Sequence, residues 1–455
     1  VYGKIKRLHF VGIGGIGMSG IAELLLNMGY TVTGSDLRES DTVRRLRELG
    51  ASISVGHSPE NVHGAGVVVI SSAVNDRNPE VKEAHGLNIP VIPRAQMLAE
   101  LMRLRYGIAV AGSHGKTTTT TMVSAVLSHG GLDPTIVVGG KVRALGTNAR
   151  LGKGNFMVVE ADESDGSFLL LSPVISVLTN IDEEHMDHYK DMDELEAAFS
   201  NFLNKIPFYG LAVVCWDCPR VRAVAKDFEK RSITCGFNPE AELKAVNVSV
   251  SGFRMEFDVV LNDTSLGRVS LQVPGKHNAQ NALAAIAVGM ELGMTFEQVR
   301  EGLNEYSGID RRLQIKGKGK DIVVLDDYAH HPNEIKATIE ALKDSSHGRV
   351  VAIFQPHRYT RTKQLFDQFA DVLRDIDVLF LLDIYSAGEE PIEGVTSEAL
   401  YRSIKEAGHG NVFYSNGSKS VVNSVLSVLE PGDVVITLGA GNVWTVGEEI
   451  AEEIK

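Results

Sequence analysis

Apolar positions along this chain come in two rhythms. Short unbroken apolar runs alternate with stretches in which apolar side chains return roughly every three or four positions, the patterns of buried strands and amphipathic helices. Leu8-His9-Phe10-Val11 predicts a buried strand, then a glycine-rich turn and a helix to Met28. Thr31 to Asp36 predicts a second strand ending in an acid, and Val67 to Ile70 a third. Strand, helix and strand in succession imply a parallel sheet with helices on its faces. A helix over Ala95–Met102 ends at Arg103-Leu104-Arg105, where a domain boundary is expected.

The same alternation resumes twice. Ile108-Ala109-Val110-Ala111, Phe156 to Val159 and Val174 to Leu178 predict strands of a second sheet. Residues 241–273 instead alternate polar and apolar positions (Val246, Val248, Val250; Phe253, Met255, Phe257), which predicts short antiparallel strands. Ile322–Leu325, Val350–Phe354, Val378–Leu382 and Asp433–Leu438 predict a third sheet, again parallel. The expected fold class is α/β, with three domains each built on a mainly parallel sheet: residues 1–104, 105–312 and 313–455. The sequence shows no periodic repeat, low-complexity segment or long linker.

The densest chemistry lies between Ile108–Ala111 and a helical pattern through Met122, Val123, Val126 and Leu127. The intervening stretch is Gly112-Ser113-His114-Gly115-Lys116-Thr117-Thr118. Strand, glycine loop, lysine, hydroxyl and helix form the layout of a phosphate cradle, with backbone N–H groups and a helix N-terminus facing the anion. Lys116 would hold the β/γ-phosphates and the Thr117 hydroxyl would ligate Mg²⁺. The usual spacing puts a first glycine about six residues before the lysine; this chain has Val110 there. The alternative is a glycine-rich turn with an incidental Lys-Thr.

A second glycine string lies at the N-terminus. Gly12, Gly14 and Gly17 satisfy G-x-G-x-x-G after a strand, and Asp36 stands where an acid would meet a ribose hydroxyl. The physics calls for a diphosphate on a helix N-terminus, which NAD and a UDP-sugar both supply; a tight turn without ligand is the bland alternative.

Elsewhere polar residues again gather where strands end. Glu160-Ala161-Asp162-Glu163-Ser164-Asp165 and Asn180-Ile181-Asp182-Glu183-Glu184-His185-Met186-Asp187-His188 follow two expected strands. Carboxylates beside a phosphate loop suit Mg²⁺, and Glu160 and His185 are the candidate ligands; otherwise these runs are solvated loops. Asn278 and Asn281 in Gly275-Lys276-His277-Asn278-Ala279-Gln280-Asn281 lie one helical turn apart, facing one neighbour, or Asn278 caps the helix. Arg358 and Arg361, following the Val350–Phe354 strand, suit a carboxylate; the alternative is a surface helix start.

Composition narrows the partners. A net charge of −13 argues against nucleic acid as a main partner. At 44% hydrophobic and 23% charged residues the 455-residue chain reads as soluble and globular. No apolar run reaches the roughly 18 residues of a membrane span, and Val1 to Arg7 run straight into a strand without a signal-peptide pattern. Three cysteines make no disulfide framework, so a cytoplasmic location is expected, as a monomer or homodimer. Cys215 and Cys218 form a lone C-x-x-C without a second ligand pair nearby.

Taken together, G-S-H-G-K-T-T, E-A-D-E-S-D, N-I-D-E-E-H-M-D-H, G-K-H-N-x-x-N-A, D-D-Y-A-H-H-P and Q-P-H-R-Y-T-R resemble, in order and spacing, the Mur ligases of peptidoglycan synthesis. The resemblance runs from about Leu8 to Trp444 and explains the shortened phosphate loop. It implies a Rossmann-like N-terminal domain for a UDP-sugar, a central P-loop-type ATPase domain with a small antiparallel extension, and a Rossmann-like C-terminal domain for an amino acid. The N-terminal string V-G-I-G-G-I-G-M-S-G is similar to that of the ligase acting first in the series. The implied substrates are therefore UDP-N-acetylmuramate, L-alanine and ATP, with Mg²⁺.

Carried over by motif, Gly14, Gly15, Ile16, Gly17, Met18 and Asp36, with Ser71 and Ser72, would lie at the UDP moiety. Gly112, Ser113, His114, Gly115, Lys116, Thr117 and Thr118 would hold the triphosphate, with Thr117, Glu160 and His185 at Mg²⁺. Asn278, Asn281, Arg312 and Asp327 would hold the nucleotide, and Tyr328, Arg358 and Arg361 the L-alanine. Lys116, Glu160, His185 and Arg312 are the expected catalytic groups. Sister ligases carry a carbamylated lysine in a helix whose counterpart here, Glu194-Leu195-Glu196-Ala197-Ala198-Phe199, has none. The implied reaction is amide formation through an acyl phosphate, with domain closure bringing the substrates together. The competing class is an NAD-dependent oxidoreductase using the first glycine loop, which leaves Lys116-Thr117 and the acidic clusters idle; a nucleotide-gated binding protein is the third.

Overall fold

The computed structural model describes residues 6–71, 73–142, 147–186, 188–345, 348–415 and 418–455. The side chains of Ile16, Gly140, Lys141, Val142, Thr147 and 418–420 lie outside the description, as does all of Ser72 and Asp187. The chain forms two compact units: residues 1–246, 258–269 and 280–306, and residues 247–257, 270–279 and 307–455.

Among the described residues there are three sheets. The first has the strand order Ser52–Val55, Thr31–Asp36, Arg7–Val11, Val67–Ile70, Val91–Pro93, with every neighbouring pair parallel. Its order reverses beside Arg7–Val11, where the first glycine loop leaves the sheet. Open α/β sheets bind ligands at such a switch point. Leu8, Phe10 and Val11 are buried, with His9 buried among them, which is why this strand reads as a largely apolar run.

The second sheet runs from Thr264–Leu271 through Arg254–Leu261, Leu243–Ser251, Ser232–Gly236, Leu211–Cys215 and Ile175–Leu178 to Tyr106–Ala111. Phe156–Glu160, Thr135–Val142 and Thr147–Arg150 complete it. Pairing is parallel from Ser232–Gly236 to Thr135–Val142 and antiparallel at the last edge. Between Arg254–Leu261 and Thr264–Leu271, Asn262 and Asp263 have φ of 46° and 64°. Two left-handed residues in succession make the type I′ hairpin turn, so the alternating stretch does fold as short strands. The helix Met192–Leu203 is capped by Asp191 and buries Phe199 and Phe202, which pack on Phe168.

The third sheet has the order Gln314–Gly319, Ile322–Asp327, Val434–Leu438, Val350–Phe354, Val378–Leu382, Val412–Ser415. Only its first pair is antiparallel. The core strands are apolar on both faces, and two apolar clusters cover them, one holding Phe354 and Phe369 and the other Phe380 and Val421. Ser72 and Asp187, named from the sequence, lie outside the described residues.

Candidate active site

The strand Tyr106–Ala111 sits between Ile175–Leu178 and Phe156–Glu160, all parallel. Their carboxyl ends therefore deliver Gly112, Thr179 and Glu160 to one edge. Gly112 has φ 133°, and a Cβ there would run into Thr179 Oγ1 and the backbone of Asn180, so only glycine lets the loop leave the sheet so close to its neighbour. Gly115, left-handed at φ 78°, is the N-cap of the helix Lys116–His129. The loop is fastened from below. Asn180 Oδ1 accepts from His114 N at 2.8 Å, Thr179 Oγ1 donates to His114 O at 2.7 Å, and Asp182 N donates to Ser113 Oγ at 2.8 Å. His114 Nε2 lies 2.9 Å from Asp182 Oδ2.

Lys116 folds back over this loop. Its Nζ donates to Gly112 O at 2.7 Å, Ser113 O at 3.1 Å and Glu163 Oε1 at 2.8 Å. Burial alone would lower its pKa; the charge and bond of Glu163, with Glu160 and Asp162 nearby, outweigh that and raise it. Thr117 Oγ1 donates to Glu160 Oε1 at 3.0 Å, and Gly139 N donates to Glu160 Oε2 at 2.7 Å. Burial raises the Glu160 pKa in spite of both bonds. The side chain of Thr118 is buried in the helix. Asn281 Oδ1 accepts from Thr119 Oγ1 at 3.0 Å and lies 2.8 Å from where a Cβ on Gly115 would stand.

His185, with φ 59°, places Nε2 at 3.4 Å from Glu163 Oε1 and 3.5 Å from Glu184 Oε2. Burial alone would lower its pKa; the bond and charge of Glu163, with the charge of Glu184, outweigh that and raise it. Ligand atoms of Glu163, Glu184 and His185 all lie within 4.8 Å of one another. Glu163 Oε2 and Glu184 Oε1 are buried with no hydrogen-bond partner among the described residues. Unpartnered carboxylate oxygens beside a phosphate loop are the donor set a hard divalent cation takes. The structure thus groups Thr117 with Glu160, and His185 with Glu163 and Glu184; Lys116 joins the two groups.

At the N-terminal glycine loop, Gly12 N and Ile13 N donate to Ser35 O at 2.8 and 3.0 Å, and Gly14 N donates to Asp36 Oδ2 at 2.8 Å. Gly15 is the N-cap of the helix Ile16–Asn27, and Ser71 Oγ lies 3.9 Å from where a Cβ on Gly12 would be. Arg94 packs over the first turn: a Cβ on Gly17 would stand 2.7 Å from Arg94 Nη1. Arg94 Nη2 is also 3.9 Å from Asp162 Oδ2. Met18 is buried in the core beneath the helix.

In the second unit, Asp327 ends the strand Ile322–Asp327 and accepts from Leu313 N at 2.7 Å and Ala329 N at 2.8 Å. Burial raises its pKa to about 6, with Arg312 pulling the other way. Arg311 and Arg312 lie over the Tyr328 ring at 4.9 and 5.5 Å. Ring contacts continue from Tyr328 to His330 at 5.3 Å, to His357 at 5.8 Å, and to Tyr385, stacked on His357 at 5.6 Å. Arg361 Nη1 is 3.4 Å from His357 Nδ1. Arg358 has φ 70° and caps the helix Tyr359–Gln364, its N–H donating to Tyr385 O at 2.8 Å. Burial, then Arg361 and Arg358, push the His357 pKa down to about 4; burial first among several causes pushes His330 to about 3. Both imidazoles are neutral at pH 7. Asn278 lies in the first turn of Lys276–Glu291 and donates to Pro274 O at 2.6 Å.

Three family descriptions match consecutive parts of the chain: Mur ligase family, catalytic domain, over residues 7–106; Mur ligase middle domain over 110–289; and Mur ligase, glutamate ligase domain over 311–441. A UDP-N-acetylmuramate–L-alanine ligase of Geotalea uraniireducens is 54% identical over 455 residues, covering 100% of this chain and 99% of the relative. The chain belongs to the Mur ligase family. A second UDP-N-acetylmuramate–L-alanine ligase, from Geobacter sp. strain M21, is 56% identical over 456 residues, with 100% and 99% covered. The crystal structure of a UDP-N-acetylmuramate–alanine ligase from Thermotoga maritima matches with a TM-score of 0.82 at 29% identity, covering 98% of each chain. A murein peptide ligase from Psychrobacter arcticus, at 23% identity and a TM-score of 0.68, shares the fold.

Several groups of this Mur ligase site escaped selection from sequence. Glu163 and Glu184 stood inside the acidic runs, yet nothing in an acidic run tells which carboxylate turns inward. Thr179 and Asn180 gave only the weak signal of polar residues after an apolar strand. His330 and His357 were visible as motif letters; their shared neighbourhood required the sheet order that brings Ile322–Asp327, Val434–Leu438 and Val350–Phe354 side by side.

Proposed function

We infer that this Mur ligase joins L-alanine to the lactyl carboxylate of UDP-N-acetylmuramate, using ATP, in peptidoglycan synthesis. The observation that carries this is the similarity, from end to end, to UDP-N-acetylmuramate–L-alanine ligases at 54% and 56% identity. The division of labour follows the three sheets: sugar nucleotide on residues 1–104, ATP on 105–312 and amino acid on 313–455.

In the first step a carboxylate oxygen attacks the γ-phosphorus, the bond to the β,γ-bridging oxygen breaks, and ADP leaves an acyl phosphate. An anion approaching a polyanion is repelled, so fixed positive charge is the main requirement. Lys116 supplies it from the loop; the motif resemblance gives Arg312 the same task and gives Asn278, Asn281 and Asp327 the nucleotide. Thr117, Glu160 and His185, with Glu163 and Glu184 beside them, would hold Mg²⁺, which neutralises charge on phosphate oxygens when bound. The sugar diphosphate takes the N-terminal loop, at Gly14, Gly15, Ile16, Gly17 and Met18, with Asp36 and Ser71 beside it.

In the second step the alanine amine attacks the acyl carbon, and phosphate leaves from the tetrahedral intermediate. Arg358 and Arg361 hold the alanine carboxylate, with Tyr328 beside them. The ammonium must first lose a proton; His357, beside both arginines and with its pKa held down to about 4, is a weak acceptor while they are unpaired. A carboxylate on the two arginines offsets their pull on His357 and makes it a better base than in the free protein.

Thermal melting tests the ligand assignment. UDP-N-acetylmuramate and ATP with Mg²⁺ should each raise the melting temperature, and NAD should not. A shift with NAD alone would overturn the reading in favour of an oxidoreductase.

A further inference from the structure

The phosphate chemistry gives no task to Glu80. Glu80 is fully buried in the helix Pro79–Gly86, whose N-cap Asn78 accepts from Glu80 N at 2.9 Å. Its carboxylate is a hub. Ser35 Oγ donates to Oε2 at 2.6 Å, and Asn61 Nδ2 and Ser58 N donate to Oε1 at 2.5 and 3.4 Å. His57 Nδ1 lies 3.3 Å and His9 Nε2 3.6 Å from Oε2. Ser35 Oγ is itself 2.9 Å from His57 Nδ1, and His9 Nδ1 is 2.9 Å from Thr33 Oγ1.

What this hub fixes is the floor of the first glycine loop. The carbonyl of Ser35 takes the N–H groups of Gly12 and Ile13, and the next residue, Asp36, takes that of Gly14. On the other side, Gly56 N donates to Asp36 O at 2.8 Å and Val55 pairs with Asp36 in the sheet, so His57 follows directly from the same edge. Glu80 thus grips both segments that support the loop: the Ser35–Asp36 strand end and the His57 turn. A buried charge with several donors is expensive to assemble and rigid once complete.

We propose that Glu80 is a positioning residue for the sugar-nucleotide site, setting the Ser35–Asp36 strand end and His57 and, through them, the diphosphate-binding turn Gly12–Gly15. This rests on the reading that the turn receives the diphosphate of UDP-N-acetylmuramate. The turn's own N–H groups are taken up by Ser35, Asp36 and Gly12. The turn therefore acts by fixing the start of the helix Ile16–Asn27, whose first N–H groups would meet the diphosphate and where small misplacements cost affinity steeply.

Glu80→Gln keeps the side-chain shape but sets an NH₂ against donors of Ser35, Asn61 or Ser58. Calorimetric titration of the folded variant with UDP-N-acetylmuramate should show affinity weakened by roughly tenfold or more. The KM values for ATP and L-alanine, and kcat at saturating sugar nucleotide, should stay within about twofold of the parent. A purely structural role would lower the active fraction and kcat while leaving the dissociation constant of the surviving protein unchanged, and that result overturns the proposal. If Glu80→Gln does not fold, Ser35→Ala, which retains the Ser35 carbonyl, takes its place: weakened sugar-nucleotide affinity supports the proposal and parental affinity overturns it. The two levels separate cleanly. A parent protein that does not bind UDP-N-acetylmuramate defeats the loop assignment itself, whereas tight binding by both parent and variant defeats only the role of Glu80.

Discussion

Lys116 Nζ lies 2.8 Å from Glu163 Oε1, and Glu163 is only 1% exposed. The lysine that should greet a phosphate is therefore already held by a buried carboxylate and by the carbonyls of its own loop. This changes what its removal does. Lys116→Ala should lower kcat by about a hundredfold or more, the scale of one preorganised charge at a reacting phosphoryl group. It should also lower the melting temperature, because the variant strands Glu163 beside Glu160 and Asp162. Adding Glu163→Gln to it should recover stability without recovering activity. Full activity in a folded Lys116→Ala protein would remove the phosphate role from this loop.

The acidic edge makes a separate prediction. Glu160→Ala, His185→Ala and Glu163→Gln should each raise the Mg²⁺ concentration needed for half-maximal rate. A titration of rate against Mg²⁺ checks this, and unchanged metal dependence in all three variants would return the clusters to the status of packed loops.

At the amino-acid end, alanine offers little beyond its carboxylate. Arg358→Ala and Arg361→Ala should raise the KM for L-alanine steeply with those for ATP and the sugar nucleotide little changed. Lysine at position 358 should restore only part, because an ammonium lacks the two-pronged geometry of guanidinium. Glycine should be a poor but measurable substrate, since one methyl discriminates by only about 1–3 kcal/mol. Steady-state kinetics with each amino acid test both statements.

Glu80 should also leave a mark on acid stability. Burial would raise its pKa, but His9 beside it at 3.6 Å and the bonds from Ser35 and Asn61 outweigh that and bring it from 4.5 down to about 2. A depressed folded pKa stabilises above the unfolded value near 4.5, and the benefit is lost as pH falls from there toward 2. A shift of this size corresponds to about 3 kcal/mol. Denaturant unfolding between pH 6 and 3 should show about 2 kcal/mol of this lost, a fall that is missing from Glu80→Gln.

Much of this architecture was legible in the chain. Val350–Phe354 and Val378–Leu382 coincide with observed strands residue for residue, because strands buried on both faces must be apolar throughout. Ser52–Val55 was not visible: it is a largely exposed strand with two serines and little apolar signal. At the site, Lys116 and Thr117 announced themselves through glycine spacing and a following helix. Glu80 gave no sign, since a glutamate early in a helix is ordinarily a surface residue favoured by the helix dipole. Only the sheet order, which sets Thr31–Asp36 beside Arg7–Val11 and Ser52–Val55, makes Ser35 and His57 its neighbours. Such long-range polar contacts have no period to read.

The most direct measurement is phosphate release and product mass with ATP, Mg²⁺, UDP-N-acetylmuramate and each amino acid in turn. The reaction read here predicts phosphate only when sugar nucleotide and amino acid are both present, fastest with L-alanine, and a product heavier than UDP-N-acetylmuramate by one alanyl residue. Absence of that amide product from folded protein with all three substrates, or equal turnover without an amino acid, would contradict it.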